Sequence, residues 1–386
     1  SGYGLAMARL ASMYRQTQRL DEADQMLTQA YSIITQAYGP QHPVTVDTQT
    51  ELALLNWSQG NLTEAGDYFE QALDASLEFV GAYFAPMSES EKAAYWKTLQ
   101  PRFEKYFSFI AAHKEAAAAL EKALDYRLAT KAMLLSSTTK IKKHILASGD
   151  SELIADYETW LDQKELLAMY YNVSAEDIKE QKVNIDSLEL VVNTLEKSLS
   201  ERSGLFDKTY NAVNPTTADI RSKLTDDAAA VEIIRSSFDL NSNKVQYLVL
   251  VLTKSGIKKI TLENGDQLEQ KDFKLYRNLV RLKKEDTYSY DQFWAPIASE
   301  LVDHQTVFLS LDGVYNQMNI NTLKDPSGTY VIDKWQIHHL SSLRDLIEQA
   351  HPIDSRTATL IGDPAYGSDK ISALPGTEVE INNINR

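Results

Sequence analysis

Small and apolar residues recur in the first part of the chain with a period of 42 residues, the distance from Ala11 to Ala53. The first unit contains Leu10-Ala11, Leu20, Ala23, Leu27 and Ala30-Tyr31, and the second contains Leu52-Ala53, Leu62, Ala65, Phe69 and Ala72-Leu73. Alanines at repeated positions suit helix crossings, where a longer side chain would push two helices apart. The pattern therefore predicts two helical hairpins over residues 1–85, with Gly60-Asn61 as the tight turn within the second.

The repeat period and the linker Tyr38–Pro43 resemble the longer tetratricopeptide variant found in kinesin light chains. The resemblance implies a solenoid with a concave surface for a protein or peptide partner, and Arg15 and Gln59 are the candidate partner-binding residues. A scaffold that only spaces other domains is the alternative. Because a stable array normally needs about three repeats, a further repeat or a capping helix should flank these two.

Helical periodicity continues through a middle region, residues 86–212. Glu89–Phe109 carries an aromatic stripe that suits a core, and further helices are predicted at Glu115–Ser148 and Ser151–Tyr171. From Ile185 to Leu199 the apolar residues are spaced by three and four, which predicts a short coiled-coil-like helix. About two heptads are too short to argue for a dimer, so packing within the chain is favoured.

The pattern changes at Asn214–Thr217, where a proline and two threonines break one helix and start another. Apolar runs then predict strands at Val231–Phe238, Val245–Thr253, Ile257–Leu262 and Thr306–Leu311, with a hairpin at Lys254–Gly256 and helical pattern at Gln267–Val302. A second domain is therefore expected at residues 213–386. The predicted fold class is α+β and multidomain, with an α-helical solenoid followed by an α/β sandwich.

Composition and charge narrow the classes of partner and chemistry. The 386 residues carry a formal charge of −15, which disfavours broad contact with nucleic-acid phosphates. The longest strongly apolar run, around Tyr247–Leu252, is far shorter than the roughly 18 residues of a membrane-spanning helix. A cytoplasmic protein without nucleic-acid or membrane partners is expected. The chain has no cysteine, which removes disulfides, thiolate metal sites and a cysteine nucleophile. No metal-ligand cluster or phosphate loop is recognisable, so no metal and no cofactor is expected.

Four segments near the end of the chain follow one another in a recognisable order. They are Val307–Leu323, a strand leading into Asp312-Gly313; Ile337–Arg344, a strand ending at serines that can cap a helix; Thr359–Tyr366, an apolar strand ending in a turn; and Leu374–Glu380, the start of a helix. In this order they resemble the front part of a CHAT domain, a caspase-like cysteine peptidase domain usually combined with tetratricopeptide repeats. The resemblance implies a bacterial protein with a partial caspase-like sandwich, in which Thr359–Ile361 is a central parallel strand flanked by the helix after Pro375.

Members of this family use a histidine and a cysteine at the ends of two later strands, and the cysteine thiolate attacks a peptide carbonyl. Neither strand falls within this sequence, and none of its seven histidines occupies the family position. No catalytic residue is therefore expected in this chain. The resemblance implies the N-terminal part of a repeat-regulated endopeptidase, which cleaves a protein substrate after sensing a partner.

The resemblance also suggests two sites near the chain end. Leu374 and Gly376 are substrate-pocket candidates: caspases proper place an arginine two residues before this glycine to bind a substrate aspartate, so Leu374 argues against an aspartate-directed pocket. Arg386 is a candidate maturation-cleavage site, because the related separases and metacaspases cut after basic residues. The protein's own C-terminal catalytic fragment would then be a partner. A truncated sequence and a disordered remainder are the other two explanations.

Two other functions compete with the peptidase. The first is a non-catalytic adaptor, in which the repeats bind a partner and the α/β region is a degenerate scaffold. The second is a structural repeat protein with an unrelated α/β domain. The sequence that follows Arg386 distinguishes the peptidase from both alternatives, because only the peptidase requires a strand ending in His-Gly and an apolar strand ending in Cys.

Overall fold

A computed structural model describes residues 2–84, 87–113, 116–131, 133, 142, 145–171, 173, 178–179, 181–202, 215–237, 240, 244–347, 360–362 and 374–384. The chain forms two compact units, Ser1–Ile347 and Glu348–Arg386. Its principal helices are α1 Gly2–Gln16, α2 Leu20–Tyr38, α3 Pro43–Gln59, α4 Leu62–Tyr83, α5 Glu89–Ala112, α6 Ala117–Thr130, α7 Ser151–Tyr171, α8 Ile185–Arg202, α9 Thr217–Lys223, α10 Phe273–Arg281 and α11 Pro375–Ile384. Its strands are β1 Ala228–Ser236, β2 Gln246–Thr253, β3 Ile257–Leu262, β4 Thr306–Ser310 and β5 Gln336–Leu340. None of the described helices is long and apolar enough to span a bilayer.

The first four helices form the two predicted hairpins, α1–α2 and α3–α4. The repeated alanines are completely buried where the helices cross: Ala11, Ala23, Ala30, Ala53, Ala65 and Ala72. The steric argument from the sequence is therefore confirmed at every one of these positions. Gly60 ends α3 in the left-handed conformation, with φ of +84°, which a residue with a Cβ rarely adopts.

The helices α5 and α6 supply the flanking element that two repeats require. One hydrophobic cluster runs without interruption from α3 and α4, through α5 and α6, to one face of the sheet. Trp57 and Phe69 represent the second repeat in this cluster, Phe109 and Leu124 the α5–α6 pair, and Leu250 the sheet. The repeats and the sheet therefore share a core instead of being joined by a linker.

The sheet contains five described strands in the order β3-β2-β1-β4-β5. The pairs β1–β2 and β2–β3 are antiparallel, as the predicted hairpin at Lys254–Gly256 requires, whereas β1–β4 and β4–β5 are parallel. Strand β1 begins at Ala228, three residues before the predicted start, because its small apolar residues pair with β4 from Thr306 onward. The carboxyl ends of the three parallel strands β1, β4 and β5 consequently meet at one edge of the sheet.

Alternate residues of the strands face two different cores. Ala230 and Ile234 of β1 face the helices α5 and α6, whereas Val231 and Ile233 face a second cluster. That second cluster is built around Trp294, Phe293 and Tyr315 from the segments that follow β3 and β4. The central strand β1 is buried from both sides, which explains its nearly continuous apolar sequence.

The helices α7 and α8 form a separate small core. Leu153, Trp160 and Leu167 of α7 pack against Val192 and Leu199 of α8, which confirms that the apolar seam of α8 packs within the chain. The predicted helix at Glu115–Ser148 is not continuous, however. Helix α6 ends at Thr130, and Lys131 has the extended conformation, with φ of −67° and ψ of 130°.

Two predicted helix starts are confirmed, one at Thr216 and one at Ser342. Thr216 caps α9 by accepting a hydrogen bond from the Asp219 backbone N–H. After β5, the Ser342 side chain caps the short helical turn Leu343–Leu346. The Asp345 carboxylate in turn accepts a hydrogen bond from the Ser342 N–H. Serine and threonine at these positions satisfy backbone donors that a helix start leaves unpaired.

The unit Glu348–Arg386 is described at residues 360–362 and 374–384. The helix predicted after Pro375 is present as α11. Gly362 lies against it, because a Cβ at this position would come within 2.3 Å of Ile381 Cδ1. Leu360 and Ile361 carry no strand pairing, and Ile361 is 84 % exposed. The predicted strand at Thr359–Ile361 is therefore not observed in its two described residues, and Thr359 lies outside the part of the chain that the structure describes.

Candidate functional site

A cavity of about 550 Å³ lies at the carboxyl ends of β1 and β4. Helices α5 and α6 form its other wall. Its lining includes Trp96 and Phe103 of α5, Arg127 and Lys131 at the end of α6, and Arg235 and Asp312 of the sheet. Open α/β sheets bind ligands and place catalytic groups at this edge, outside the carboxyl ends of parallel strands.

A completely buried carboxylate, Glu232 of β1, forms the centre of an ion cluster next to this cavity. Arg127 Nε donates to Glu232 Oε1 at 3.1 Å, and Lys131 Nζ donates to the same oxygen at 2.7 Å. Lys131 Nζ also donates to Ser310 Oγ at 2.5 Å and to the Leu311 carbonyl at 2.8 Å. Arg127 of α6 and Lys131, the residue that follows α6, thereby hold the ends of two strands.

The ion cluster extends to the Asp-Gly segment after β4. Arg127 Nη2 donates to Asp312 Oδ2 at 2.8 Å, and the Arg235 backbone N–H donates to the same oxygen at 3.1 Å. Gly313 follows with φ of +56°, and a Cβ there would lie 2.4 Å from the Tyr247 hydroxyl. Both the backbone conformation and the lack of space require glycine, so the Asp-Gly pair predicted from sequence has a steric explanation.

A second ion pair lies on the other face of the sheet. Arg235 donates to both carboxylate oxygens of Glu269, at 2.6 and 3.0 Å, and the Tyr247 hydroxyl donates to Glu269 Oε1 at 2.6 Å. The hydrogen bond from Arg235 lowers the pKa of Glu269, and burial raises the pKa of Tyr247. Tyr247 remains a neutral donor and also accepts from the Val314 N–H at 3.0 Å.

The hydrogen bonds of the Glu232 cluster hold the Lys131 side chain between the ends of β1 and β4. Burial lowers the pKa of Lys131, whereas the neighbouring Glu232 opposes that shift. The Lys131 ammonium uses its three donors on Glu232, Ser310 and the Leu311 carbonyl. Because the chain contains no cysteine, this edge holds no thiol nucleophile. No group of three or more metal-binding side chains occurs among the described residues.

Helix α5 is capped by side chains from two other parts of the protein. At its start, Glu196 of α8 accepts from the Glu89 N–H at 2.8 Å. At its end, Lys259 Nζ of β3 donates to the carbonyl oxygens of Ile110, Ala111 and His113. An anion at the start and a cation at the end suit the helix dipole. Helix α5 thus connects the α7–α8 pair to the edge of the sheet.

The two candidate partner-binding residues have different surroundings. Arg15 is buried, and its Nη2 atom lies 3.6 Å from Glu51 Oε2 of α3. Little of its side chain is therefore available to a partner. Gln59 is half-buried at the turn between α3 and α4, where it accepts a hydrogen bond from Asn61 at 3.3 Å. Their role in partner binding stays a prediction.

The candidates near the chain end belong to the unit Glu348–Arg386. Leu374 is 46 % exposed and directly precedes α11, and Gly376 is an exposed residue in the first turn of that helix. The structure neither joins them to a described cavity nor tests their role as a substrate pocket. Arg386 lies outside the described residues.

Sequence reasoning singled out Asp312 but missed the other charged residues of the Glu232 cluster, which are Glu232, Arg127 and Lys131. One signal was available: Glu232 is the only charged residue within the apolar run Ala228–Ile234, and a charge on a buried strand requires a partner. Its partners Arg127 and Lys131 lie about 100 residues earlier, at separations of 105 and 101 residues. No local pattern indicates that pairing.

Together, the fold and the cluster define a protein in which helical repeats are built onto the face of an α/β sheet. Residues 4–78 match the family model of the tetratricopeptide repeat, and residues 289–386 match that of the CHAT domain. The chain therefore joins tetratricopeptide repeats to a CHAT domain, which confirms the resemblance and the predicted α+β fold class. No curated protein matches the chain. Tetratricopeptide repeats generally mediate protein–protein interactions.

Proposed function

We propose that this chain is the sensing and coupling part of a cysteine endopeptidase of the CHAT class, which cleaves a protein substrate when a protein partner binds its repeats. Residues 1–85 would sense the partner, residues 86–212 would couple, and residues 213–386 would form the first part of the peptidase domain. The protein would act in the cytoplasm. The CHAT match and the repeats support this proposal at the level of domain types.

One observation carries the coupling. Arg127 in the last turn of α6 and Lys131 directly after it hold the ends of β1 and β4 through Glu232, Ser310 and Asp312. A shift of α6 relative to the sheet has to rearrange these hydrogen bonds. Helix α6 in turn shares a core with α3 and α4 of the second repeat. A partner that changes the packing of the repeats would therefore act on the edge where the parallel strands end.

The chemistry would come from polypeptide beyond these residues. In a peptidase of this class, a thiolate attacks the peptide carbonyl and a histidine transfers the proton to the leaving amine. Leu374 and Gly376 would contribute to the substrate pocket, and cleavage after Arg386 would leave the chain bound to its own C-terminal fragment. Both assignments are part of the proposal.

A non-catalytic adaptor is the second candidate function, and the absence of cysteine favours it for this chain taken by itself. In that function the repeats bind a partner and the sheet supports them. The two functions differ in the polypeptide encoded after Arg386 and in the effect of Arg127 and Lys131 on proteolysis.

The test therefore starts by sequencing the gene past the codon for Arg386. The peptidase requires an open frame with a strand ending in His-Gly and an apolar strand ending in Cys. The full protein is then assayed on β-casein, with replacement of that cysteine by alanine as the inactive reference. We expect Arg127→Met/Lys131→Met to change the basal cleavage rate by about tenfold. A factor of this size corresponds to a typical coupling free energy between two sites, which is about 1–3 kcal/mol.

Lys258→Met is the matched control, because Lys258 is exposed and pairs with Glu300 at the surface. It should leave the cleavage rate unchanged. A stop codon or a frame without His and Cys would exclude the peptidase and leave a non-catalytic function for the protein. Equal rates in the coupling variant and the control would remove the coupling role of α6.

A further inference from the structure

One short segment of the chain concentrates positive charge. Between Lys271 and Lys284, six of the fourteen residues are basic and one, Asp272, is acidic, whereas the whole chain has a formal charge of −15. The Asp272 side chain is buried, but all six basic residues are exposed. They form what is here called the basic surface: Lys271, Lys274, Arg277, Arg281, Lys283 and Lys284.

The basic surface is not neutralised by its neighbours. None of its six side chains forms an ion pair with a residue in the described part of the chain. The two acidic residues that follow it are already engaged. Glu285 Oε1 lies 3.6 Å from Lys324 Nζ, and the Asp286 carboxylate accepts from the backbone N–H groups of Tyr288 and Ser289. The charge of the basic surface is therefore available to a partner.

Local folding explains only part of this charge. Lys274, Arg277 and Arg281 are spaced by three and four residues, so they share the exposed side of α10. The helix dipole favours a cation in the last turn, such as Arg281, but it gives Lys274 in the first turn no such gain. Lys283 follows the helix with φ of +51°, a conformation that favours glycine. A lysine there adds charge at a cost in backbone energy.

The basic surface lies beside the edge where the parallel strands end. Glu269, two residues before Lys271, accepts two hydrogen bonds from Arg235 at the end of β1. Helix α10 itself contacts the chain beyond β4, because the Asn319 N–H donates to the Tyr276 hydroxyl at 3.1 Å. A molecule bound to the basic surface would therefore lie next to the edge at which open α/β sheets place ligands and catalytic groups.

The chemistry of the basic surface suits an acidic protein segment better than other polyanions. Single-stranded nucleic acids stack their bases on aromatic side chains, but the aromatic residues of α10, Phe273 and Tyr276, are buried. A membrane-binding helix needs one continuous apolar face, but the exposed Leu275 and Val280 lie about 140° apart around α10. Single apolar side chains among cations instead complement a peptide that carries several carboxylates and a few apolar residues.

We propose that the basic surface is a docking site for an acidic segment of the protein substrate. The segment binds there while the peptide bond to be cleaved lies at the adjacent edge of the sheet. Its carboxylates pair with Lys274, Arg277 and Arg281, and its apolar side chains pack against Leu275 and Val280. This inference rests on the proposed peptidase function and names the class of substrate that the peptidase takes.

Fluorescence anisotropy of a labelled acidic peptide tests the binding without any proteolysis. The probe is four repeats of Glu-Glu-Leu, and the same length of Gln-Gln-Leu is the uncharged reference. The unchanged chain should bind only the acidic probe, and added salt should weaken the binding. Lys274→Glu/Arg277→Glu/Arg281→Glu should weaken it by about tenfold or more, because three attractive pairs become repulsive. Lys274→Gln/Arg277→Gln/Arg281→Gln should give a smaller loss in the same direction.

The matched control is Lys97→Glu/Lys223→Glu/Lys254→Glu, which reverses three exposed cations outside the basic surface. It changes the net charge by the same amount, so it separates a local site from the effect of overall charge. Circular dichroism checks that each variant is folded. Equal affinity in the control and in the variants of the basic surface, or no binding by the unchanged chain, would overturn the proposal. Tighter binding of oligouridylate or of phosphatidylserine vesicles than of the peptide would also overturn it.

The link to the substrate is tested in the full protein. An excess of the acidic probe should inhibit cleavage of the acidic substrate β-casein, and the uncharged reference should not. Binding of the probe without inhibition would contradict the assignment to the substrate, because the acidic segment would then belong to another partner. A full protein that cleaves no casein contradicts the peptidase itself, whereas the anisotropy result stands without it. The two failures are therefore distinguishable.

Discussion

Replacement of Glu232 by leucine is expected to lower the free energy of unfolding by about 3–5 kcal/mol, the usual cost of removing one partner from a buried ion pair. The Glu232 side chain is fully buried, and Oε1 accepts from both Arg127 and Lys131. Without the carboxylate, the Lys131 ammonium remains half-buried with Ser310 and the Leu311 carbonyl as its only described partners. Chemical denaturation of the purified chain measures the loss.

Two further variants separate this effect from a general sensitivity to lost charge. Glu300→Leu removes a carboxylate that pairs with the exposed Lys258, and it should cost about 1 kcal/mol or less. Lys131→Met/Glu232→Leu removes both charges and should recover much of the loss, because an apolar pair of similar volume often replaces a buried ion pair without penalty. If Glu232→Leu costs no more than Glu300→Leu, the cluster does not hold the strand ends.

Replacement of Phe109 by alanine is the second change with a large expected effect. It should lower the free energy of unfolding by about 3–5 kcal/mol, because it removes buried apolar atoms and leaves a cavity. Phe109 of α5 is 2 % exposed, and its ring lies 5.4 Å from those of Trp57 in α3 and Phe69 in α4. It therefore connects the second repeat to the α5–α6 pair. We also expect the repeats to unfold before the sheet in this variant.

Phe273→Ala is the matched control for Phe109→Ala. Phe273 belongs to the cluster on the opposite face of the sheet, and its ring stacks on Tyr276. The control should lower stability while the repeats and the sheet still unfold together. Hydrogen exchange resolved along the chain distinguishes the two outcomes, and the same separation of repeats and sheet in both variants would argue against a specific role for Phe109.

The sequence predicted the elements whose packing is local or periodic. The alanines of the repeats could be assigned to helix crossings because the same small residue recurs at both ends of a 42-residue period, and all of them are buried. The seam of α8 and the hairpin between β2 and β3 were predictable for the same reason: each depends on spacing or on a turn between neighbours in sequence.

The end of α6 shows where that reasoning fails. The helical pattern continues past Thr130, yet the backbone turns at Lys131, whose ammonium reaches Glu232 and the end of β4. The stabilisation that Lys131 provides by pairing with the buried Glu232 carboxylate depends on the position of β1, which lies more than 90 residues further along the chain. A local pattern of apolar and polar residues carries no information about such a pairing.

The family resemblance implied that Thr359–Ile361 is a central parallel strand, but its two described residues, Leu360 and Ile361, carry no strand pairing. A strand needs a neighbour that supplies hydrogen bonds, whereas a helix such as α11 satisfies its own backbone. A helix such as the one after Pro375 can therefore be predicted from local sequence, whereas a strand prediction depends on a partner strand elsewhere in the chain.

The most direct test of the shared core compares the amide exchange of α3 in the repeats with that of β1 in the sheet under native conditions, with increasing denaturant. If the repeats and the sheet form one cooperative structure, the slowest amides of both elements will report the same opening free energy and the same dependence on denaturant. An opening of α3 that lies several kcal/mol below that of β1 would contradict the account, because the repeats would then unfold independently of the sheet.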